Sequence, residues 1–220
     1  MTQEAFMQTC SNPIGIEAVY AENHRRAIEA AQLRKEQRTQ RLTRKLAETI
    51  PERYQEAAIT NSVCIEWLAG YERGERRNLV LIGEVGTGKT FHTYALAAHL
   101  LRGGTNCNVY TAPGFLRHIK EAYNGAFSEA EVMEQLQGID VLGLDDIGKE
   151  HVTPWAVEKL FDVLDARTAN RKPVIATTNC SASELLKRYG ESGEAILSRL
   201  CGGALIARFT GADMRLKQQN

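Results

Sequence analysis

The stretch Asn78-Leu-Val-Leu-Ile-Gly83-Glu-Val-Gly-Thr-Gly-Lys89-Thr90 decides the fold. Its first half is a short apolar run of the kind that forms a buried strand. Its second half meets every fixed position of G-x-x-x-x-G-K-[ST], and an apolar helical pattern follows from Thr90 to Arg102. Strand, glycine loop and helix in that order predict a loop that wraps anionic oxygens. The glycines let backbone N–H groups curl inward with no Cβ in the way. The following helix turns its positive end to the same point. Lys89 supplies a mobile cation for the β- and γ-phosphates of a nucleotide, and the Thr90 hydroxyl is a Mg²⁺ ligand. Gly83, Glu84, Val85, Gly86, Thr87, Gly88, Lys89 and Thr90 are therefore the expected nucleotide site, with ATP and Mg²⁺ as cofactors. A glycine-rich turn with no ligand is the bland alternative, and the flanking strand and helix speak against it.

Downstream, short apolar runs alternate with helical patterns. Strands are expected at Asn108–Thr111, Val141–Asp145 and Pro173–Thr178. Helices are expected at Pro113–Tyr123, Glu129–Gln137 and Pro154–Thr168, the last with Thr153 as N-cap and proline in its first position. This alternation predicts an α/β fold, a parallel sheet with helices on both faces. Val141-Leu-Gly-Leu-Asp145-Asp146 is an apolar strand that ends in two carboxylates. After a phosphate loop, that pattern assigns Asp145 to the Mg²⁺ shell and Asp146 to polarising an attacking water. Thr177-Thr178-Asn179 closes the next strand, where Asn179 is suited to positioning water opposite the γ-phosphate. Plain solvent-facing strand ends are the alternative for both.

Upstream, residues from about Ile16 to Ile50 hold no proline or glycine and are rich in Ala, Glu, Gln, Leu, Lys and Arg, a strong but weakly amphipathic helical pattern. Arg34, Lys35, Arg38, Arg41, Arg44 and Lys45 make it basic. It reads either as a solvated helix or as an arm for a partner protein or nucleic acid. A shorter helical pattern runs from Tyr54 to Gly70. The expected organisation is a helical N-terminal region, 1–70, and a nucleotide-binding domain, 71–220.

Of the 220 residues 43% are hydrophobic, and 27 basic residues balance 27 acidic ones, so net charge draws the chain to no nucleic acid and any basic surface is local. The five cysteines are odd in number and none forms a C-x-x-C pair, which points to reduced thiols and no zinc site. No leader-like or membrane-spanning apolar run is present, so the cytoplasm is the expected compartment and no membrane partner is expected.

The order of phosphate loop, Asp145-Asp146, Thr177-Thr178-Asn179, Ser198-Arg199-Leu200 and Met214-Arg215 resembles the AAA+ ATPases. Together with the run LDARTANRKPVIATTN, it is most similar to the DnaC/IstB-type branch, which includes bacterial and phage helicase loaders. The resemblance covers Arg77 to the C-terminus. It implies that Arg199 is an arginine finger reaching a neighbouring subunit's nucleotide, with Arg167 and Arg171 as fallback candidates. It implies that Arg215 contacts the γ-phosphate in cis. It implies self-assembly through Arg199, a replicative DnaB-like ring helicase held by the N-terminal region, and single-stranded DNA held between the two nucleotide motifs. In that segment Arg117 and Lys120 share a helix face suited to phosphates, and Phe115 offers a ring for a base; an amphipathic helix with two solvated cations is the alternative. Two features depart from the class. Asp146 stands where glutamate is usual, and little or no helical lid follows the core. A transposition helper of the IstB type, or a nucleotide-binding interaction module with negligible turnover, remain as other readings.

Overall fold

Five short runs of aliphatic residues form one all-parallel sheet: β1 (Leu79–Gly83), β2 (Cys107–Thr111), β3 (Val141–Ile147), β4 (Val174–Thr178) and β5 (Leu205–Phe209). The computed structural model describes residues 13–122, 125 and 128–214. The strand order is β2-β3-β4-β1-β5. β1 thus pairs with β4 on one side, Leu79 opposite Ile175, and with β5 on the other, Leu79 opposite Leu205. The chain leaves β1 toward β2 and later crosses back over it to reach β5. Such a reversal opens a crevice at the carboxyl ends of the strands, where ligands of open α/β sheets bind.

β3 and β4 are buried on both faces, and so read as continuous apolar runs. β5, an edge strand, exposes Ile206 and Arg208 and buries only Ala207 and Phe209. Its mixed pattern, L-I-A-R-F, is the one strand that the sequence reading did not pick out.

Helices α3 (Lys89–Arg102), α4 (Ala112–Glu121), α5 (Glu129–Gly138), α6 (Pro154–Ala169), α7 (Ala182–Tyr189) and α8 (Gly193–Cys201) connect the strands. Their starts follow local chemistry. The side chains of Thr111, Ser128, Thr153 and Ser181 each accept a backbone N–H as N-caps, and Ser128 and Ser181 complete capping boxes with Glu131 and Glu184. Phe115, Ile119, Leu136, Leu142, Leu144, Val163 and Leu164 form much of the core.

The described chain begins with α1 (Pro13–Thr49). The molecule divides into two units, residues 1–45 and 46–220. Within the first, α1 is solvent-exposed almost throughout from Tyr20 to Arg44 wherever its side chains are described, including Tyr20, Ile28 and Leu33. Residues 46–70, expected with the N-terminal region, lie in the same unit as the sheet. Ile50 is buried, a 3₁₀ turn spans Glu52–Tyr54, and α2 (Ser62–Glu72) buries Cys64 and Trp67. The Trp67 indole N–H donates to the Arg77 carbonyl at 2.7 Å, which fixes α2 just ahead of β1.

Candidate nucleotide site

The turn between β1 and α3 owes its shape to glycine. Gly86 and Gly88 have φ of 79° and 100°, a region other residues avoid. Gly88 is the N-cap of α3. The loop curls around the Lys89 ammonium, which is buried and donates to the carbonyls of Gly83 (2.8 Å) and Glu84 (2.6 Å). The Thr87 hydroxyl also donates to Glu84 O, at 2.8 Å.

Across the crevice, β3 ends in a bulge. Leu144 pairs with Ala176, but the next pair is Ile147 with Thr178, so one extra residue sits on β3. The kink falls on Asp145-Asp146, and Asp146 has φ 62°. Two threonines of β4 hold it. The Thr177 hydroxyl donates to Asp145 Oδ1 at 2.7 Å and accepts the Asp146 N–H at 2.8 Å. The Thr178 hydroxyl donates to the Ile147 carbonyl at 2.7 Å. The Thr90 hydroxyl donates to the Asp145 carboxylate, 3.0 Å from each oxygen. Asp145 is 3% exposed, and burial raises its pKa above the ordinary aspartate value, against the lowering effect of the Thr177 hydrogen bond. Asp146 faces the crevice, with Lys149 Nζ at 2.8 Å.

These groups border one cavity of about 340 Å³, lined by Val85, Gly86, Gly88, Lys89 and Thr90 from the loop and its helix start, by Asp146 of β3, and by Lys149 and Asn179 just beyond β3 and β4. Thr90 and Asp145 present hard oxygens at one point, which fits Mg²⁺ held by a hydroxyl, one carboxylate and phosphate oxygens.

The structure adds residues that motif reading missed. Arg53 and Tyr54 line the same cavity from the 3₁₀ turn. His92 sits one turn into α3, where Nδ1 donates to Gly88 O at 2.9 Å. Its Nε2 accepts the N–H groups of Thr60 (3.3 Å) and Asn61 (3.2 Å). With N–H donors facing Nε2, Nδ1 is the ring nitrogen that faces an acceptor, the Gly88 carbonyl. His92 thereby straps the loop to the segment before α2. Asp213 lies against Gly86, where a Cβ would come within 2.0 Å of its carboxylate, and the Met214 N–H donates to Gly86 O at 2.9 Å. Arg215 lies outside the described residues.

Arg199 is on α8 and does not line the cavity. Its Nε donates to Asp165 at 2.6 Å and its guanidinium covers the Phe161 ring at 4.5 Å. Asn78 holds the end of α8 by donating to the carbonyls of Arg199 (2.7 Å) and Leu200 (3.1 Å). That anchor is at the amino end of β1, about 16 Å of strand rise away from the loop.

Two expectations are corrected. Phe115 is 1% exposed, within the core, so its ring offers no face to a base. Arg117 and Lys120 are exposed on α4, with Lys120 Nζ 5.3 Å from the Trp155 ring. Arg167, a fallback finger, is also 1% exposed. It donates to the carbonyls of Leu136, Ile139, Asp140 and Pro173, and burial lowers its pKa to about 10. It is a structural tie and reaches no neighbour. Arg171 is exposed, with φ 51°.

A phosphate loop on β1, paired acids on β3 and a polar end to β4, in a 2-3-4-1-5 parallel sheet, define a P-loop ATPase of the AAA+ fold. The chain belongs to the IstB-like ATP-binding protein family, which it matches over residues 4–220. It is 30% identical to the replicative helicase loader DnaI of Bacillus subtilis (strain 168) over 162 residues, 70% of this chain and 51% of DnaI. It is 32% identical to an ATP-binding protein of insertion sequence IS1162 from Pseudomonas fluorescens over 103 residues, 47% of this chain and 44% of that protein. Among solved structures, the DnaC helicase loader aligns with a TM-score of 0.63 and 20% identity, over 73% of this chain and all of that one, a likeness of fold. The chain thus spans about half the length of the relatives it matches in sequence.

Proposed function

We propose that this protein is an ATP-switched loader that delivers a replicative ring helicase onto single-stranded DNA. The observation that carries the reading is the division of the site. One protomer holds Lys89, Thr90, Asp145, Asp146 and Asn179 together, while Arg199 is anchored at the opposite, amino end of β1. A cation so placed is suited to a second protomer's nucleotide, so that ATP completes its site only in an assembly. The likeness to DnaI supplies the choice of partner.

In this scheme the loop N–H groups and Lys89 bind the triphosphate; Thr90 and Asp145 would hold Mg²⁺, which would supply charge neutralisation of the phosphates. Asp146 takes the proton of the attacking water and Asn179 orients that water. Lys149, ion-paired to Asp146, must release the carboxylate, which fits slow turnover and a switch rather than a motor. The exposed α1 is the arm that meets the helicase. Arg117 and Lys120 are the DNA-facing cations, acting on phosphates without a stacked ring.

A second reading, a transposition helper on duplex DNA, is favoured by the insertion-sequence relative. One experiment tests both. ATP turnover is measured with single-stranded DNA, duplex DNA or replicative helicase added, in wild type and Arg199→Ala. The loader requires stimulation by single strands or helicase and its collapse in the variant. Stimulation by duplex alone selects the transposition helper. ATP binding without turnover in every arm makes the protein an interaction module.

A further inference from the structure

The nucleotide cavity has a cationic wall that does not belong to the phosphate loop or to the strand ends. Arg53 lies in the 3₁₀ turn Glu52–Tyr54, some thirty residues before the loop, and lines the same cavity as Lys89, Thr90 and Asp146. A stack of side chains holds it there. The Arg53 guanidinium lies 4.6 Å from the centre of the Tyr54 ring. Tyr54 in turn stacks on Tyr94, with centroids 4.6 Å apart and planes 14° from parallel. Tyr94 is one helical turn after Thr90 on α3, hence on the same helix face as the Mg²⁺-binding hydroxyl. The electrostatics agree. Burial pushes the Tyr94 hydroxyl up to about 12, the Asp145 charge pushes the same way, and the Arg53 charge pulls it down, so both groups act on one phenol.

A guanidinium stacked on a ring keeps its N–H groups in its own plane, directed outward from the stack and open to an oxyanion. The ring face also restricts the side chain before the ligand arrives, so less rotamer freedom is lost on binding. The loop's own cation, Lys89, is buried and held by loop carbonyls, whereas Arg53 is exposed at the same cavity.

We propose that Arg53 is a ligand for the triphosphate chain of ATP, a cation supplied in cis from outside the phosphate loop and positioned by Tyr54 and Tyr94. This rests on the nucleotide-site reading above. It also gives that site a covalent route to the N-terminal arm, because α1 ends at Thr49 and only three residues separate Thr49 from Arg53.

The test uses the full chain. Binding of Mg-ATP is measured by titration, and Mg-tripolyphosphate, which has no base or sugar, is measured as its competitor. Arg53→Ala is expected to weaken both about tenfold, the loss of one charged hydrogen-bonding partner. Arg53→Lys, which keeps the charge on the same exposed position, recovers most of the loss. Unchanged affinity for both ligands in Arg53→Ala overturns the inference. Weakened ATP with unchanged tripolyphosphate overturns it too, by assigning Arg53 to the base. Wild type that fails to bind ATP, or Lys89→Ala that binds like wild type, sinks the nucleotide-site reading itself and is read independently of Arg53.

Discussion

Asp146 has a left-handed backbone, φ 62°, at the bulge of β3. Aspartate tolerates that conformation far better than longer side chains do, because its short polar group bonds locally. This gives a physical reason for aspartate where the class favours glutamate. Thr177 serves both acids through one hydroxyl. Thr177→Val keeps the shape and removes both bonds, leaving the Asp146 N–H without its partner and Asp145 Oδ1 with the Thr90 hydroxyl alone. We expect about 2 kcal/mol of destabilisation by chemical denaturation. ATP turnover should fall at least tenfold while ATP affinity stays near wild type, and Thr177→Ser should restore both; a variant that turns over ATP normally would contradict this role. Asp145 makes a separate prediction. Its raised pKa means that the folded chain holds this proton more tightly than the unfolded one does. Its contribution to stability therefore falls as pH climbs from the unfolded aspartate value toward the raised folded one, and is level above that. Asp145→Asn should flatten that part of the nucleotide-free pH–melting curve and raise the melting temperature at neutral pH, while turnover is lost. A melting temperature below wild type at neutral pH would show that the carboxylate's hydrogen bonds outweigh its desolvation.

At the scale of elements, the joint between α5, β3 and β4 depends on Arg167, whose guanidinium serves four carbonyls in a dry place. Arg167→Met fills the volume but orphans those acceptors, and should cost about 3–5 kcal/mol of unfolding free energy, measured by urea titration. The fraction that folds should bind ATP like wild type, because the residue is remote from the cavity. Elements of strong local character were legible in the sequence. The strand–loop–helix around Lys89, the proline-led α6 and the apolar β3 and β4 all fall within a few residues of their expected positions. Those whose identity depends on partners were not. β5 is a strand because β1 offers it an edge, and its two outward residues erase the apolar run that would have revealed it. The loop and the two acids were legible as motifs. Thr177, His92 and Arg53 were not, because each acts through a residue 31 or more positions away or through a stack, and spacing records neither. Phe115 misled for the opposite reason, since an aromatic at a helix start looks alike whether it faces solvent or core.

For the whole molecule, the division at Lys45 separates a polar helix from the unit that holds the nucleotide site. A chain comprising 46–220 should therefore fold and bind ATP within about twofold of full length, since every residue lining the cavity lies within it. It should lose capture of replicative helicase in a pull-down; retained capture would move the partner surface onto the sheet unit. The strand order carries a further consequence, for the chain as it is made. β1 emerges early, yet both its neighbours are encoded late, β4 nearly one hundred residues on and β5 later still. Until those residues leave the ribosome, β1 has no edge to join, and the phosphate loop at its end has no scaffold to hold its curl. Nucleotide thus finds its site only once β5 has been made. A growing polypeptide stalled before β5 displays the motif without the pocket.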